Sequence, residues 1–206
     1  MDAFDISYSN RSCVFGFQTA WGLRTHVEKR STWRGEKALD LGCGQGRDTY
    51  YLAQNGFEVD AVDISPAAIN GLAKEAELNS LHVFPQVADI RSLTLPPDRY
   101  SVVVARTVLD HIEKEFTPGI IKQIKRSCKS GAVFFATVFT VDDPGYLDRR
   151  LASEFAGEIR YYFERNVLRE LFADWDISAY EEVIEVDETH GPRHFHGKAR
   201  IIALKP

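Results

Sequence analysis

Ala38-Leu39-Asp40-Leu41-Gly42-Cys43-Gly44-Gln45-Gly46-Arg47 is the stretch on which the fold turns. Lys37–Leu41 has the length and composition of a buried strand, and three glycines at two-residue spacing follow it directly. A helical segment over Arg47–Gln54 comes next, and Gly56 ends it. Glycines let the backbone turn sharply and approach a ligand closely. The helix that follows offers free N–H groups and the positive end of its dipole. Between a strand and a helix, an otherwise weak glycine pattern becomes informative.

Working outward, apolar β-branched runs alternate with amphipathic segments. Strands are expected at 57–62, 82–87, 100–105 and 132–139, the last apolar on both faces as a central parallel strand requires. Ser65-Pro66 starts a helix, with serine at the N-cap and proline at the first helical position. Ile69, Leu72, Ala73 and Ala76 mark its buried face. A second helix over 118–129 buries Ile120, Ile121, Ile124 and Cys128, and its lysines and Arg126 read as a solvated face. This alternation implies a doubly wound, Rossmann-like α/β sheet. After a helix near 166–173, strands at 177–186 and 198–204 are separated only by the loop 187–197. That loop is too short for a crossover helix, so the pair should be an antiparallel hairpin. Residues 1–36 carry no clear strand but hold Tyr8, Phe15, Phe17, Trp21 and Trp33. They are expected to form an arm over a single domain at 37–206.

The strand ends carry acids. Asp63 follows the second strand and can accept both ribose hydroxyls of an adenosine. A nicotinamide dinucleotide and S-adenosylmethionine both fit so far, and the glycine spacing separates them. A dinucleotide turn wants G-x-G-x-x-G, whereas Arg47 occupies the place of its last glycine. Asp40 before the turn suits an ammonium rather than a pyrophosphate. Asp89-Ile90, after the third strand, offers a carboxylate to an adenine amino group and a backbone N–H to a ring nitrogen. Each aspartate alone is also what a cap or turn would use; Asp40, Asp63 and Asp89 at successive strand ends favour the cofactor.

The segments Ala38–Arg47, Val62-Asp-Ile-Ser-Pro66 and Ala88-Asp-Ile90 resemble the class I S-adenosylmethionine-dependent methyltransferases. The Gly-Gln-Gly-Arg turn is similar to that of the tellurite-resistance and thiol-methyltransferase-like small-molecule enzymes. The resemblance implies a seven-stranded sheet ordered 3-2-1-4-5-7-6 with strand 7 antiparallel. It also implies S-adenosylmethionine as cofactor, S-adenosylhomocysteine as product and a small-molecule methyl acceptor. Cofactor contacts would fall on Asp40, Gly42, Cys43, Gly44, Gly46, Arg47, Asp63, Ile64, Asp89, Ile90 and Arg106. A macromolecular substrate and a non-catalytic cofactor-binding protein are the alternatives.

In an open α/β sheet the ligand lies beyond the carboxyl ends of the strands. After strand four, Asp110 and His111 are candidates for a base or a substrate contact. After strand five, Asp142 and Asp143 either bind a cation or cap a helical segment. The hairpin tip carries His190, Arg193, His194 and His196. His111, His194 and His196 are the candidate bases; His190 and Arg193, with Tyr8 and Trp21 from the arm, are candidate substrate contacts. A metal is disfavoured, because no cysteine or clear carboxylate completes a ligand set around the histidines.

Composition agrees with this picture. A net charge of −5 and a pI near 5.7 speak against a chain built to grip nucleic acid or an anionic membrane. No apolar run reaches bilayer length, and the first residues are acidic and polar rather than signal-like. Cys13, Cys43 and Cys128 are odd in number and widely spaced, as expected of reduced thiols in a cytoplasmic protein. A monomer or homodimer is expected.

Overall fold

Seven strands form one sheet in the order β3-β2-β1-β4-β5-β7-β6. The computed structural model describes residues 3–10, 14–16, 18–29, 33–153 and 155–206; Met1, Cys13 and Phe17 lie outside these. Strands β1 (Lys37–Leu41), β2 (Glu58–Asp63), β3 (Val83–Val87), β4 (Tyr100–Arg106) and β5 (Cys128–Phe139) pair in parallel. Strand β7 (His194–Leu204) runs antiparallel to both β5 and β6 (Asp176–Asp187). The tip of the β6–β7 hairpin therefore lies at the same end of the sheet as the carboxyl ends of the parallel strands.

Side chains of a strand alternate between faces, and β4 shows the consequence. Val103 and Ala105 join the core with Phe134, Phe163 and Phe172, whereas Val102 and Val104 join Leu52, Phe57 and Phe135 on the other side. Helices α3 (Arg47–Gln54) and α4 (Pro66–Leu78) follow β1 and β2, and α5 (Thr117–Ser127) leads into β5. Ser65 Oγ accepts from Ala68 N at 3.2 Å, the cap expected of Ser65-Pro66.

The N-terminal region contains two short helices that its sequence does not advertise, α1 (Ala3–Asn10) and α2 (Leu23–Glu28). Leu23 and Val27 of α2 are buried in the sheet core. After β5 come two further four-residue helices, α6 (Pro144–Leu147) and α7 (Val167–Glu170), the second shorter than the expected 166–173. Strand β5 starts four residues before the expected 132, because Lys129–Gly131 is taken up by a register shift against β4 rather than by a turn. Strand β7 also starts early: His194 pairs with Asp187 and His196 with Glu185, so much of the expected 187–197 loop is ladder. No helix of the described residues is long and apolar enough to cross a membrane.

Candidate cofactor and acceptor site

A cavity of about 1840 Å³ opens at the carboxyl ends of β1, β2 and β4. This exceeds the roughly 300–1,000 Å³ of a pocket for one drug-sized ligand, leaving room for a cofactor and an acceptor together. Asp40, Gly42, Cys43, Gly44 and Arg47 border it from the first strand and turn, and Asp63 and Ile64 from the second strand end. Asp89, Ile90 and Arg106 complete that side.

Gly46, also expected to contact the cofactor, does not border the cavity. It stands at the start of α3 with φ +85°, where a Cβ would come within 2.4 Å of Leu72 Cδ1, so its need is for helix packing. Gln45 and Asp48, which are not among the expected cofactor contacts, also border the cavity.

The turn is crowded with buried acid. Burial, with the neighbouring Asp48 and Asp63 carboxylates, pushes Asp40 up to about 7 even though it accepts from Thr49 Oγ1 at 2.6 Å. Asp63 accepts from Gly44 N at 2.8 Å and from Ser65 N at 2.9 Å, fixing the turn to the second strand end. This concentration of negative charge fits a ligand carrying an ammonium and a sulfonium. Cys43 is buried, and that burial together with Asp40 and Asp63 holds its thiol well above the usual range, so it stays protonated. Burial likewise pushes Cys128 up to about 12, and both cysteines are free. Asp89 is gripped by the Arg91 guanidinium, with Nη2 at 2.6 Å, which holds its carboxyl below the usual range.

The N-terminal region lies directly over this turn. Val14 N donates to Gln45 Oε1 at 2.8 Å and Ala20 N to Asp48 Oδ1 at 2.6 Å. Arg47 donates to the Phe15 carbonyl, and Arg106 Nη1 to Gln18 O at 2.6 Å. Burial and the nearby Arg47 charge lower Arg106 to about 10. Asp5 Oδ1 accepts from Ser65 Oγ at 2.6 Å and Ala67 N at 3.0 Å at the start of α4. Tyr8 and Trp21 border the cavity, and a Cβ on Gly44 would stand 2.9 Å from the Tyr8 hydroxyl.

Across the cavity lies a different chemistry. Phe4 stacks on Phe155 at 5.0 Å and meets the His111 ring edge-on at 4.9 Å. Phe15 and Phe155 both meet His190, at 5.2 and 5.3 Å. An aromatic wall thus links His111 to the hairpin histidines, and Phe4 and Phe155 carry no local pattern that points to it. His111 Nδ1 lies 3.0 Å from Glu158 O, and its Nε2 lies 3.6 Å from Asp110 Oδ2. Asp110 is fully buried and neither carboxylate oxygen has a hydrogen-bond partner among the described residues. Burial pushes it up to about 6, with the His111 charge opposing.

At the hairpin, His190 and His196 border the cavity and His194 stands behind them, ring to ring with His190 at 4.8 Å. Arg193 does not border it. Alternation along the chain puts Arg193 on the side of Phe195, opposite His194 and His196, where it pairs with Glu188 at 3.4 Å and lies 67% exposed. Asp143 proves to be the cap of α6, accepting from Gly145 N at 2.8 Å, and Asp142 pairs with Arg165 at 2.9 Å. Asp187, with burial opposing, is held down to about 2 by the Thr189 hydroxyl and N–H and by the Lys198 and His190 charges. It stands within reach of all three hairpin histidines. The expectation that no carboxylate completes a set around the histidines is corrected here: Asp187 on the facing strand supplies one, placed there by its pairing with His194.

With the turn, the strand-end acids and the strand order in hand, comparison with known proteins decides the family. A model of the tellurite resistance protein TehB matches residues 23–196. The chain belongs to the TehB family of S-adenosylmethionine-dependent methyltransferases. A TehB from Haemophilus influenzae, named a probable S-adenosyl-L-methionine-dependent methyltransferase, is 30% identical over 71% of this chain and 48% of its own length. A protein from Eikenella corrodens named hemagglutinin 1 is 29% identical over 72% of this chain and 46% of its own. The chain spans about half the length of these curated relatives. The crystal structure of H. influenzae TehB superimposes with a TM-score of 0.73 at 25% identity, covering 90% of this chain and 63% of that one.

Proposed function

We propose that this TehB-family chain transfers the methyl group of S-adenosylmethionine to a heteroatom (sulfur, selenium, tellurium, nitrogen or oxygen) of a small molecule, releasing S-adenosylhomocysteine. One observation carries the reading: the acid-rich turn and the histidine–aromatic wall face each other across a single cavity. Asp40 and Asp63 are proposed to hold the cofactor's cationic amino acid end and ribose, and Asp89-Ile90 its adenine. S-adenosylmethionine supplies the methyl on a sulfonium; the protein's part is alignment and exclusion of water. The described residues of the N-terminal arm, 3–10, 14–16 and 18–29, are proposed to act as the lid, held to the turn by Gln45, Arg47, Asp48 and Arg106. The acceptor is proposed to rest on Phe4, Phe15 and Phe155. His111 is set on that wall to take a proton from a hydroxyl or amine, which a thiolate, selenide or telluride does not need.

The test is release of S-adenosylhomocysteine across thiols, selenite or tellurite, amines and phenols, with His111→Ala alongside. Turnover of at least one panel member is expected. Loss in His111→Ala on hydroxyl or amine acceptors would assign the base. A chain that binds S-adenosylhomocysteine but turns over nothing would overturn the catalytic reading and leave a cofactor-binding protein.

A further inference from the structure

We propose that Asp187, His190, His194 and His196 bind one divalent transition-metal ion of the zinc class, which staples the tip of the β6–β7 hairpin at the wall of the cavity. Each residue offers one ligand atom, and these atoms lie within 4.8 Å of one another. Three imidazoles and a carboxylate form a tetrahedral zinc set, and four protein ligands make it a closed, structural site.

The orientation of two rings makes the case. His194 Nδ1 lies 2.8 Å from Pro192 O, and His196 Nδ1 lies 2.9 Å from Asp143 Oδ2. A carbonyl and a carboxylate accept hydrogen bonds, so in both rings Nδ1 donates. A neutral ring then presents a lone pair at Nε2, yet the two Nε2 atoms are 3.0 Å apart. Two lone pairs aimed at each other at that distance repel unless a cation joins them. Metal–nitrogen bonds of about 2.0–2.1 Å at a tetrahedral angle separate two nitrogens by roughly 3.3 Å, close to what the hairpin already provides.

The surroundings support the same reading. Metal-bound histidines commonly donate their other ring N–H to a carboxylate or carbonyl, which fixes the ring and strengthens it as a ligand. Asp143 and Pro192 O do this here, and Asp143 is itself pinned by Gly145 N and Gly197 N. His190 and His196 are buried, and Asp187 Oδ2 lies 4.0 Å from His190 Nε2. The ligands come from both strands and from the connection between them, which is how a metal clip closes a hairpin.

The test uses the full chain, stripped with a chelator and titrated with zinc by calorimetry, then with cobalt(II) by visible absorption. One ion per chain, the intense absorption of tetrahedral cobalt and a higher Tm with zinc are expected. His194→Gln, checked for folding by circular dichroism, should lose at least ~10-fold in zinc affinity, and Asp143→Asn should lose roughly 10–100-fold. His82→Ala, on an exposed residue, should bind as the parent does. A stripped parent chain that binds zinc no more tightly than His194→Gln would overturn the proposal, as would octahedral cobalt. Binding of S-adenosylhomocysteine, measured in the same preparations, reports separately on the methyltransferase reading.

Discussion

The two sides of the cavity use carboxylates in opposite ways. On the turn side, Asp40 is pushed up to about 7 by its burial, with the nearby Asp48 and Asp63 carboxylates adding to it. On the hairpin side, Asp187 is held at about 2 by Thr189, Lys198 and His190 despite its burial. On the turn side Arg47 and Arg106 donate to carbonyls of the N-terminal arm and leave Asp40 raised, whereas the hairpin side gives Asp187 cationic and hydrogen-bonding partners of its own. The first leaves its buried acid part-protonated until a positively charged ligand arrives; the second holds its carboxylate ionised from the start.

The largest effect is expected where the turn is tightest. Gly44 has φ +50°, and Gly44→Val would drive a branched side chain towards the Tyr8 hydroxyl. Affinity for S-adenosylhomocysteine should fall by roughly 100-fold in calorimetry. An unchanged affinity would remove the turn from the cofactor side altogether.

Next is Asp110, the buried acid of the acceptor side. Its folded value of about 6 lies above the ordinary 3.8, so the folded state holds the proton more tightly. Its contribution to stability is complete below about pH 4 and is lost as pH rises through about 6. Asp110→Asn should therefore stabilise the chain by about 1–3 kcal/mol at pH 7.5, with the gain fading towards pH 4. Denaturant melts at both values check this; a variant equally destabilised at each would show that Asp110 is held by partners instead.

A smaller effect sharpens the electrostatic contrast. A cationic cofactor beside Asp40 lowers its pKa, so binding at pH 7 should release up to about half a proton, and far less above pH 8. Calorimetry in buffers of different ionisation heat reads this, and Asp40→Asn should abolish it. Binding heats that ignore the buffer would mean that the turn does not meet the cofactor's charge. The smallest effect is Arg193→Ala, whose kcat/KM should stay within ~2-fold of the parent, since the side chain faces away from the cavity. A large loss would show that the hairpin turns its other side inward.

The same division separates what the sequence discloses from what it hides. Strand β1, the glycine turn and the Ser65-Pro66 start are local patterns, legible because each residue's role depends on near neighbours. The doubly wound sheet followed from alternation and the antiparallel final hairpin from its short connection, while the strand order came from the family resemblance. The pairing of Asp187 with His194, or of Asp143 with His196, depends on ladder register and on a loop 53 residues away, which no local pattern encodes. Helix α1 escaped for a related reason: Asp5 holds it to Ser65 and Ala67, a tertiary contact rather than a periodicity. Arg193 misled because a basic residue among histidines looks like a site until strand alternation turns it outward.

The way the arm is held has a consequence for how this sequence can drift. Gln45, Arg47, Asp48 and Arg106 grip main-chain atoms of Phe15, Gln18, Val14 and Ala20, not their side chains. Any residue but proline presents the same N–H at positions 14 and 20, and every residue presents the same carbonyl at 15 and 18. At these four positions the grip asks little of side-chain identity, so the arm's own sequence is held mainly at Asp5, which caps the start of α4, and at the buried Leu23 and Val27. If the proposed function holds, an arm exchanged between relatives that keeps Asp5 and the two core residues should change acceptor preference while the main-chain grip stays as it is.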